Sequence, residues 1–205
     1  MGKIKLTKGE LKRQRDSLKQ YQRYLPTLQL KKQQLQLEIL QQVNLREHQE
    51  HLLALKKKSL QPWCGLLAEP GIDLRPYLRQ RKVATSIKNI AGADIPVFKH
   101  CDFAAAEYDL FLMPLWVDAA IDALRAMLAL EEEIRTIEQA ISILRRELRI
   151  TSQRVNLFEK VKIPEAQEAI RQIKIYIGDQ MANAVGRSKI AKAKIEEAFL
   201  SEVAR

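Results

Sequence analysis

Residues 127–158 read MLALEEEIRTIEQAISILRRELRITSQRVNLF, and their apolar side chains recur at alternating steps of three and four. That spacing places one residue per turn on a narrow stripe, which a helix can hide only against another helix. The segment therefore predicts one helix of a coiled coil. The predicted seam consists of Met127, Leu130, Ile134, Ile137, Ile141, Leu144, Leu148, Thr151, Val155 and Phe158.

A second apolar repeat lies in the N-terminal part of the chain. Its positions are Leu11, Leu18, Tyr21, Leu25, Leu28, Leu35, Ile39 and Leu53, and Lys32, Gln42, Arg46 and Gln49 interrupt the register. Two long helices that flank a non-helical middle are most simply closed into an antiparallel pair. The sequence therefore predicts a mostly α-helical fold, a long two-helix coiled-coil hairpin with a short central β-hairpin.

The same reading divides the chain into three segments. Residues 1–61 are predicted as the N-terminal long helix, residues 62–114 as a central connection, and residues 115–205 as the C-terminal long helix. Within the connection, β-branched residues lie on both sides of Ala91-Gly92-Ala93-Asp94, which predicts a β-hairpin near residues 82–101. The aromatic residues Phe103, Tyr108, Phe111 and Trp116 follow the β-hairpin.

The sequence also predicts where the helices begin, end and are interrupted. Thr7 and Glu10 form a T-x-x-E pattern, which predicts a capping box at the first helix. Gln61-Pro62 is expected to end that helix. Pro26 is expected to kink it or to start a new one, and Pro164 to kink the second helix without ending it.

Charge is distributed unevenly along the chain. Of the net +10, residues 1–60 contribute 14 Lys/Arg and 5 Asp/Glu, or +9, and residues 160–205 contribute 9 and 6, or +3. Residues 61–159 contribute 12 and 14, or −2. In a helical hairpin the two basic ends lie together. Such an end suits nucleic acid, an anionic membrane or an acidic protein surface, although a solvated helix face has the same composition.

Motifs of catalysis are missing from the sequence. It contains no phosphate-binding G-x-x-x-x-G-K-[ST], no G-x-G-x-x-G, no H-E-x-x-H and no C-x-x-C. His48 and His51 lie three residues apart beside acidic residues, a pattern far more typical of a solvated polar face than of a metal site. Cys64 and Cys101 are expected to be reduced thiols. We expect no catalytic residues, no metal and no cofactor, and no membrane-spanning segment.

Several stretches resemble the D subunit of the V/A-type rotary ATPases. The most specific is Arg154-Val155-Asn156-x-x-Glu159 followed by Ile163-Pro164, which is similar to the family's Arg-Val-Asn-Ala-Leu-Glu motif. Here Leu157-Phe158 replaces Ala-Leu, and Gln153 stands where a second Arg is common. The other similar stretches are Leu6-Thr7-Lys8, Leu11-Lys12, Arg15-Asp16-Ser17-Leu18, Leu25-Pro26-Thr27-Leu28-Gln29-Leu30-Lys31-Lys32 and Asn89-Ile90-Ala91-Gly92-Ala93-Asp94-Ile95-Pro96.

The resemblance implies a non-catalytic rotor shaft, part of the central stalk, that transmits torque between ATP turnover and ion translocation. It implies one copy per complex, in the cytoplasm and peripheral to the membrane. The implied partners are the catalytic and non-catalytic ring subunits A and B, the F subunit of the central stalk and a membrane-rotor adaptor subunit, with no nucleic acid and no direct membrane insertion. We expect the β-hairpin at residues 82–101 to meet the F subunit.

Two groups of residues are candidates for contacts. Arg154, Asn156 and Glu159 are a candidate polar node in the shaft, which would join the helix pair or a partner, or else are ordinary exposed polar residues. The candidate ring-contacting basic ends are Lys8, Lys12, Arg13, Arg15, Arg187, Lys189, Lys192 and Lys194. Two other functions fit the same features: a basic coiled-coil module that binds nucleic acid, and a scaffold or chaperone that presents the aromatic stretch.

Overall fold

The structure is a computed structural model, and it describes residues 5–69, 72–105, 108 and 113–203. It contains helix α1 (Lys8–Leu60), strands β1 (Gln80–Ile90) and β2 (Ala93–Phe103), helix α2 (Trp116–Leu157), a π turn (Phe158–Lys162) and helix α3 (Ile163–Val203). Two short 3-10 helices, Gln61–Ala68 and Arg75–Leu78, lie between α1 and β1. The predicted class, mostly helical with two long helical segments and a central two-stranded sheet, is confirmed.

The chain divides into two compact units. The central unit, residues 30–152, is built around buried side chains from α1, α2 and β2: Leu35, Ala93, Ile95, Ala140 and Leu144. Gln49 bonds to Glu133, and Lys57 pairs with Glu131 at 3.3 Å. Because later residues of α1 meet earlier residues of α2, the two helices of this unit run antiparallel.

The β-hairpin covers this helix pair. Its register pairs Ile90 with Ala93 and Lys88 with Ile95. Ala93 and Ile95 are buried in the core, and the ammonium group of Lys88 lies 3.5 Å from the Glu38 carboxylate on α1. A lone β-hairpin is only marginally stable in water, so this packing is what stabilises the two strands.

A two-residue turn, Ala91-Gly92, joins the strands. Both residues have positive φ, 50° at Ala91 and 80° at Gly92. This is the backbone twist that tight β-hairpin turns require. The Asn89 side chain accepts a hydrogen bond from the Gly92 N–H at 3.1 Å and donates one to Asp94 at 2.5 Å. Ala91 is therefore the strained position of the turn, because alanine has no side-chain group to offset a left-handed backbone.

Replacing Ala91 with asparagine should stabilise the protein. Asparagine adopts positive φ at lower cost than alanine, but Ala91 also packs against the core, which limits the expected gain to about 0.5 kcal/mol. Circular dichroism of thermal unfolding should show this gain as a rise in Tm of roughly 1–2 °C. The matched control Gly92→Ala should lower Tm, because it places a Cβ at φ 80°. A lower Tm for Ala91→Asn would contradict the strain assigned to this turn.

The second unit combines residues up to 29 with residues from 153 onward. Tyr21 of α1 stacks on Phe158, with ring centroids 5.3 Å apart. Val155 of α2 and Ala166, Ala169, Ile170 and Ile173 of α3 are buried. Leu6 and Lys8 line the same groove as Tyr176 and Ala184. The start of α1 thus meets a late part of α3, so the helices of this unit are also antiparallel.

The π turn compensates for one extra residue in the seam. Up to Phe158 the seam advances by three and four, but the next residue on that face, Ile163, is five residues on. The stripe then resumes at Ala166, Ile170 and Ile173. The Ile163 N–H donates to the Phe158 carbonyl, which is the i to i+5 bond of a π turn. The wider turn thereby keeps the apolar face of α3 on the same side as Val155 and Phe158.

The structure bears on three local expectations. Thr7 caps α1 through a bond from the Glu10 N–H at 3.3 Å, but the Thr7 N–H bonds to the Lys5 carbonyl, so only half of the predicted capping box forms. The Glu10 carboxylate accepts a hydrogen bond from Gln14. Pro26 lies inside α1 and does not start a new helix. The expected kink site at Pro164 follows directly after the π turn, where proline cannot donate a backbone hydrogen bond.

Candidate functional site

Two of the polar residues that interrupt the first repeat, Arg46 and Gln49, are half-buried in the central unit. The side-chain amide of Gln49 donates to Glu133 on α2 at 3.0 Å, and the guanidinium of Arg46 lies 3.3 Å from Glu50. The Gln49 Oε1 atom is buried without a hydrogen-bond partner, and Arg46 Nε, although 3.3 Å from Glu50 Oε1, lacks the geometry of a hydrogen bond. Burial raises the pKa of the Glu133 carboxyl. Polar groups at seam positions lower stability but favour one helix register over others.

Arg125 of α2 ties the connecting segments to the helix pair. Its guanidinium donates to the Tyr77 carbonyl at 2.9 and 3.1 Å and to the Ala104 carbonyl at 2.6 Å. The same group lies 5.6 Å from the centre of the Phe103 ring. Tyr77 also packs edge-on against Tyr108, whose hydroxyl donates to Asp118. Sequence reasoning missed Arg125, although it is one of only two charged residues between Ala119 and Leu130.

An apolar groove lies where α1 ends and α2 begins. It has a volume of about 470 Å³ and is lined mainly by Leu60, Leu67, Leu124 and Met127, with Cys64 and Lys58 at its side. Lys57 also borders it and is paired with Glu131. A groove with apolar walls and lysines at its rim can receive an amphipathic protein segment.

In the second unit, the predicted basic ends lie on exposed surface. Lys8, Lys12, Arg13 and Arg15 are exposed on α1, and Arg187, Lys189, Lys192 and Lys194 are exposed on α3. Arg13 lies 3.9 Å from Glu10, and Lys192 lies 3.6 Å from Glu196. Exposed pairs of this kind contribute little to stability. These cations are therefore available for other contacts.

The same part of α3 exposes large apolar side chains. Met181, Val185, Ile190, Ile195 and Phe199 are all more than half exposed. Residues 178–197 show no buried or half-buried side chain. Isolated exposed apolar residues are ordinary, but five within about twenty residues, mixed with four cations, are typical of a binding segment.

The structure places Arg154, Asn156 and Glu159 beside the seam rather than in it. All three are exposed, whereas the seam neighbour Val155 is buried and Phe158 half-buried. Within the described residues, none of the three forms a hydrogen bond or an ion pair with α1. The other predicted seam residues are buried or half-buried. Phe111, which belongs to the predicted aromatic stretch, lies outside the described residues.

The described residues offer little for chemistry. They contain no group of three or more His, Cys, Asp or Glu side chains placed to hold a metal ion. Cys64 and Cys101 are free thiols. Burial, with the nearby carboxylates of Glu132 and Asp102, raises the pKa of the Cys101 thiol, which disfavours the reactive thiolate. Every described helix falls short of the apolar length that crossing a bilayer requires.

Comparison with known proteins connects these features to one family. The model of the family described as the D subunit of ATP synthase matches residues 10–193. This chain belongs to that family. The match includes all of α2 and the β-hairpin and most of α1 and α3, so the resemblance found in the sequence motifs is confirmed along nearly the whole chain.

Individual relatives agree with the family. The V-type ATP synthase D subunit of Borreliella burgdorferi is 43% identical over 195 residues, which is 95% of this chain and 96% of the relative. The proteins of the same name from Chlamydia caviae and Chlamydia pneumoniae are 33% and 30% identical, over 95% and 94% of this chain and 94% and 93% of their own lengths. The chain is thus similar to these subunits from end to end.

Proposed function

We propose that this protein is the central-stalk rotor shaft of a V/A-type ATPase or ATP synthase. It would transmit torque between ATP turnover in a catalytic ring and ion translocation in the membrane, without catalysing a reaction itself. The observation that carries the proposal is membership of the D-subunit family over residues 10–193. The relatives are named as subunits of a V-type ATP synthase, and this name indicates the complex in which we place the present chain.

The packing of each unit supports a mechanical role. A shaft must resist twisting, and helices locked side by side by interdigitated seam residues are stiffer than either helix alone. In the central unit this locking is reinforced by the β-hairpin and by Arg125, which ties two connecting segments to α2. A protein with this mechanical role would not require a catalytic pocket.

We assign the ring contacts to the exposed part of α3. In a rotor, the ring must change its nucleotide affinity as the shaft turns, so the contact energies must differ with angle. Exposed apolar residues such as Ile190, Ile195 and Phe199 supply contact area, and Arg187 and Lys189 supply charge. Charged contacts at such a rim bias orientation and rate more than net affinity. The basic residues at the start of α1 would join the same interface.

Two surfaces of the central unit remain for the other proposed partners. The β-hairpin presents Ile87, whose side chain is 79% exposed, and its outer strand edges are unpaired among the described residues, which suits the F subunit. The apolar groove beside Leu60 and Met127 suits the membrane-rotor adaptor subunit. In this arrangement the protein would lie in the cytoplasm, peripheral to the membrane through the complex, with one copy per complex.

Affinity purification from native lysate tests the proposal. Mass spectrometry should recover two nucleotide-binding ring subunits in excess over this chain, and the absorbance ratio should show no nucleic acid. Recovery of nucleic acid, with affinity that falls steeply as salt is raised, would instead support the basic binding module. Recovery of self-oligomers alone would support the scaffold function. Either of these results would contradict the rotor proposal.

A further inference from the structure

In the central unit, Glu133 of α2 contacts Gln49 of α1 through a single hydrogen bond. Gln49 Nε2 donates to Glu133 Oε1 at 3.0 Å, and both side chains are half-buried. The other end of the amide is unsatisfied, because Gln49 Oε1 is buried without a hydrogen-bond partner. An acceptor that is removed from water and left unbonded lowers stability. The two groups therefore make one hydrogen bond where an acid and an amide could make two.

The carboxyl of Glu133 has no cation beside it. Glu133 forms none of the ion pairs found among the described residues, and His48 and His51 of α1 are exposed. The charged groups on neighbouring turns of α1 and α2 and on β2 have partners of their own: Arg46 lies 3.3 Å from Glu50, Lys57 3.3 Å from Glu131, Arg135 2.8 Å from Glu132, and His100 3.5 Å from Asp102. Only the amide of Gln49 offsets the charge of Glu133.

The surroundings of Glu133 favour the neutral acid. Burial raises the pKa of the Glu133 carboxyl above its ordinary value. The hydrogen bond from Gln49 stabilises the charged form, so the upward direction of the pKa shift means that the loss of hydration outweighs this bond. Glu133 therefore takes up a proton at a higher pH in the folded chain than in the unfolded chain.

We propose that Glu133 takes up a proton at mildly acidic pH and closes a two-bond acid–amide pair with Gln49, which tightens the contact between α1 and α2. The proton comes from solvent and binds Glu133 Oε2, whose O–H then donates to Gln49 Oε1. Gln49 Nε2 continues to donate to Glu133 Oε1. All four polar atoms of the pair are then hydrogen-bonded, and no charge is buried. The contact is a pH-sensitive element of the central unit.

Acid should strengthen this contact, and a rise in pH should weaken it. A carboxyl whose pKa is raised on folding binds more protons in the folded chain, so its contribution to stability grows as the pH falls. The contribution is complete below the unfolded-state pKa of Glu133 and is lost as the pH rises through the folded-state pKa. In a rotor shaft, the central unit would resist twisting more strongly in mild acid. Only that consequence rests on the proposed function, because both partners of the contact lie within this chain.

Replacing Glu133 with glutamine imitates the protonated state at every pH. Two amides can form the same two hydrogen bonds, so Glu133→Gln should raise Tm at about pH 8 by roughly 2–4 °C, the effect of one neutral hydrogen bond in a chain of this size. The gain should shrink toward zero by about pH 4, where the wild-type carboxyl is protonated as well. Circular dichroism of the full-length chain measures both values. The control Glu138→Gln, at an exposed glutamate of α2, should show no comparable gain.

Carbon-13 NMR of the side-chain carboxyl and amide carbons tests the contact directly. The Cδ signal of Glu133 should titrate at a higher pH in the folded chain than in the chain unfolded in urea. The Cδ signal of Gln49 should shift with the same midpoint, because its oxygen gains a donor. A folded-state midpoint at or below the unfolded one, a Gln49 signal that does not follow Glu133, or a lower Tm of Glu133→Gln at the higher pH would each overturn the inference. These measurements use the isolated chain, so they decide the matter even if no ring subunits are recovered with it.

Discussion

Deleting residues 187–205 should uncouple ATP turnover from ion transport while leaving the rest of the protein folded. The deletion removes Arg187, Lys189, Lys192 and Lys194 together with Ile190, Ile195 and Phe199, all exposed on α3. Coupling between two sites typically corresponds to about 1–3 kcal/mol of binding free energy. Without the shaft's contacts on the ring, the number of ions transported per ATP hydrolysed should fall several-fold. Transport and ATP hydrolysis, measured in parallel on reconstituted complex, give the ratio directly.

Two controls accompany this truncation: the unfolding temperature of the truncated chain, and a full-length variant that lacks the four cations. Among the residues of this unit whose burial is described, Ile173 is the last buried one, so the truncated chain should unfold at nearly the same temperature as the full chain. A full-length variant with the four cations changed to glutamine separates charge from contact area. If it retains coupling while the truncation loses it, the apolar residues carry the contact. A truncated chain that assembles and couples normally would rule out α3 as the ring contact.

Replacing Leu144 with alanine should be among the most destabilising single changes. Leu144 is 0% exposed and packs with Leu35, Ala140 and Ile95 where α1, α2 and the β-hairpin meet. Leucine-to-alanine changes in cores cost about 2–5 kcal/mol because they leave a cavity. In a chain of this size that is a fall in Tm of roughly 4–20 °C.

The neighbouring residue supplies a matched control for Leu144. Ile143 precedes Leu144 on the same helix but is 36% exposed, so Ile143→Ala should cost much less. Thermal unfolding monitored by circular dichroism compares the two variants under one condition. Equal losses would mean that the core described around Leu144 does not stabilise the central unit.

Most of the fold could be predicted because its signals are periodic. The seam from Met127 to Phe158 is apolar at nearly every position, and the β-hairpin is marked by alternation on both sides of Ala91-Gly92. Gln61-Pro62 predicted the end of α1, which lies at Leu60. These signals are reliable because the apolar periodicity of a helix or strand marks the face that it buries in the folded protein.

The remaining features depend on contacts between distant residues. Arg125 holds carbonyls of Tyr77 and Ala104, 48 and 21 residues away, and no local pattern specifies those partners. Only one of the two hydrogen bonds of the predicted capping box forms, because the Glu10 carboxylate accepts a hydrogen bond from Gln14 instead of from the Thr7 N–H. The sequence analysis chose only charged residues as candidates for contacts with the ring. The structure shows that large apolar side chains on α3 are exposed as well. In the sequence, Ile190, Ile195 and Phe199 look like any other apolar residues, and only the structure shows that they are exposed.

The π turn at Phe158–Lys162 has a consequence for how this chain can change in length. The segment between Phe158 and Ile163 contains one residue more than the three- and four-residue spacing of the seam requires. Deleting that residue would leave a regular α-helix, with the flanking apolar residues Val155, Phe158, Ala166 and Ile170 on their present face. A single-residue deletion elsewhere in α2 or α3 would rotate everything after it by roughly 100°. Among family members of different lengths, insertions and deletions in the second helix should therefore concentrate at this turn.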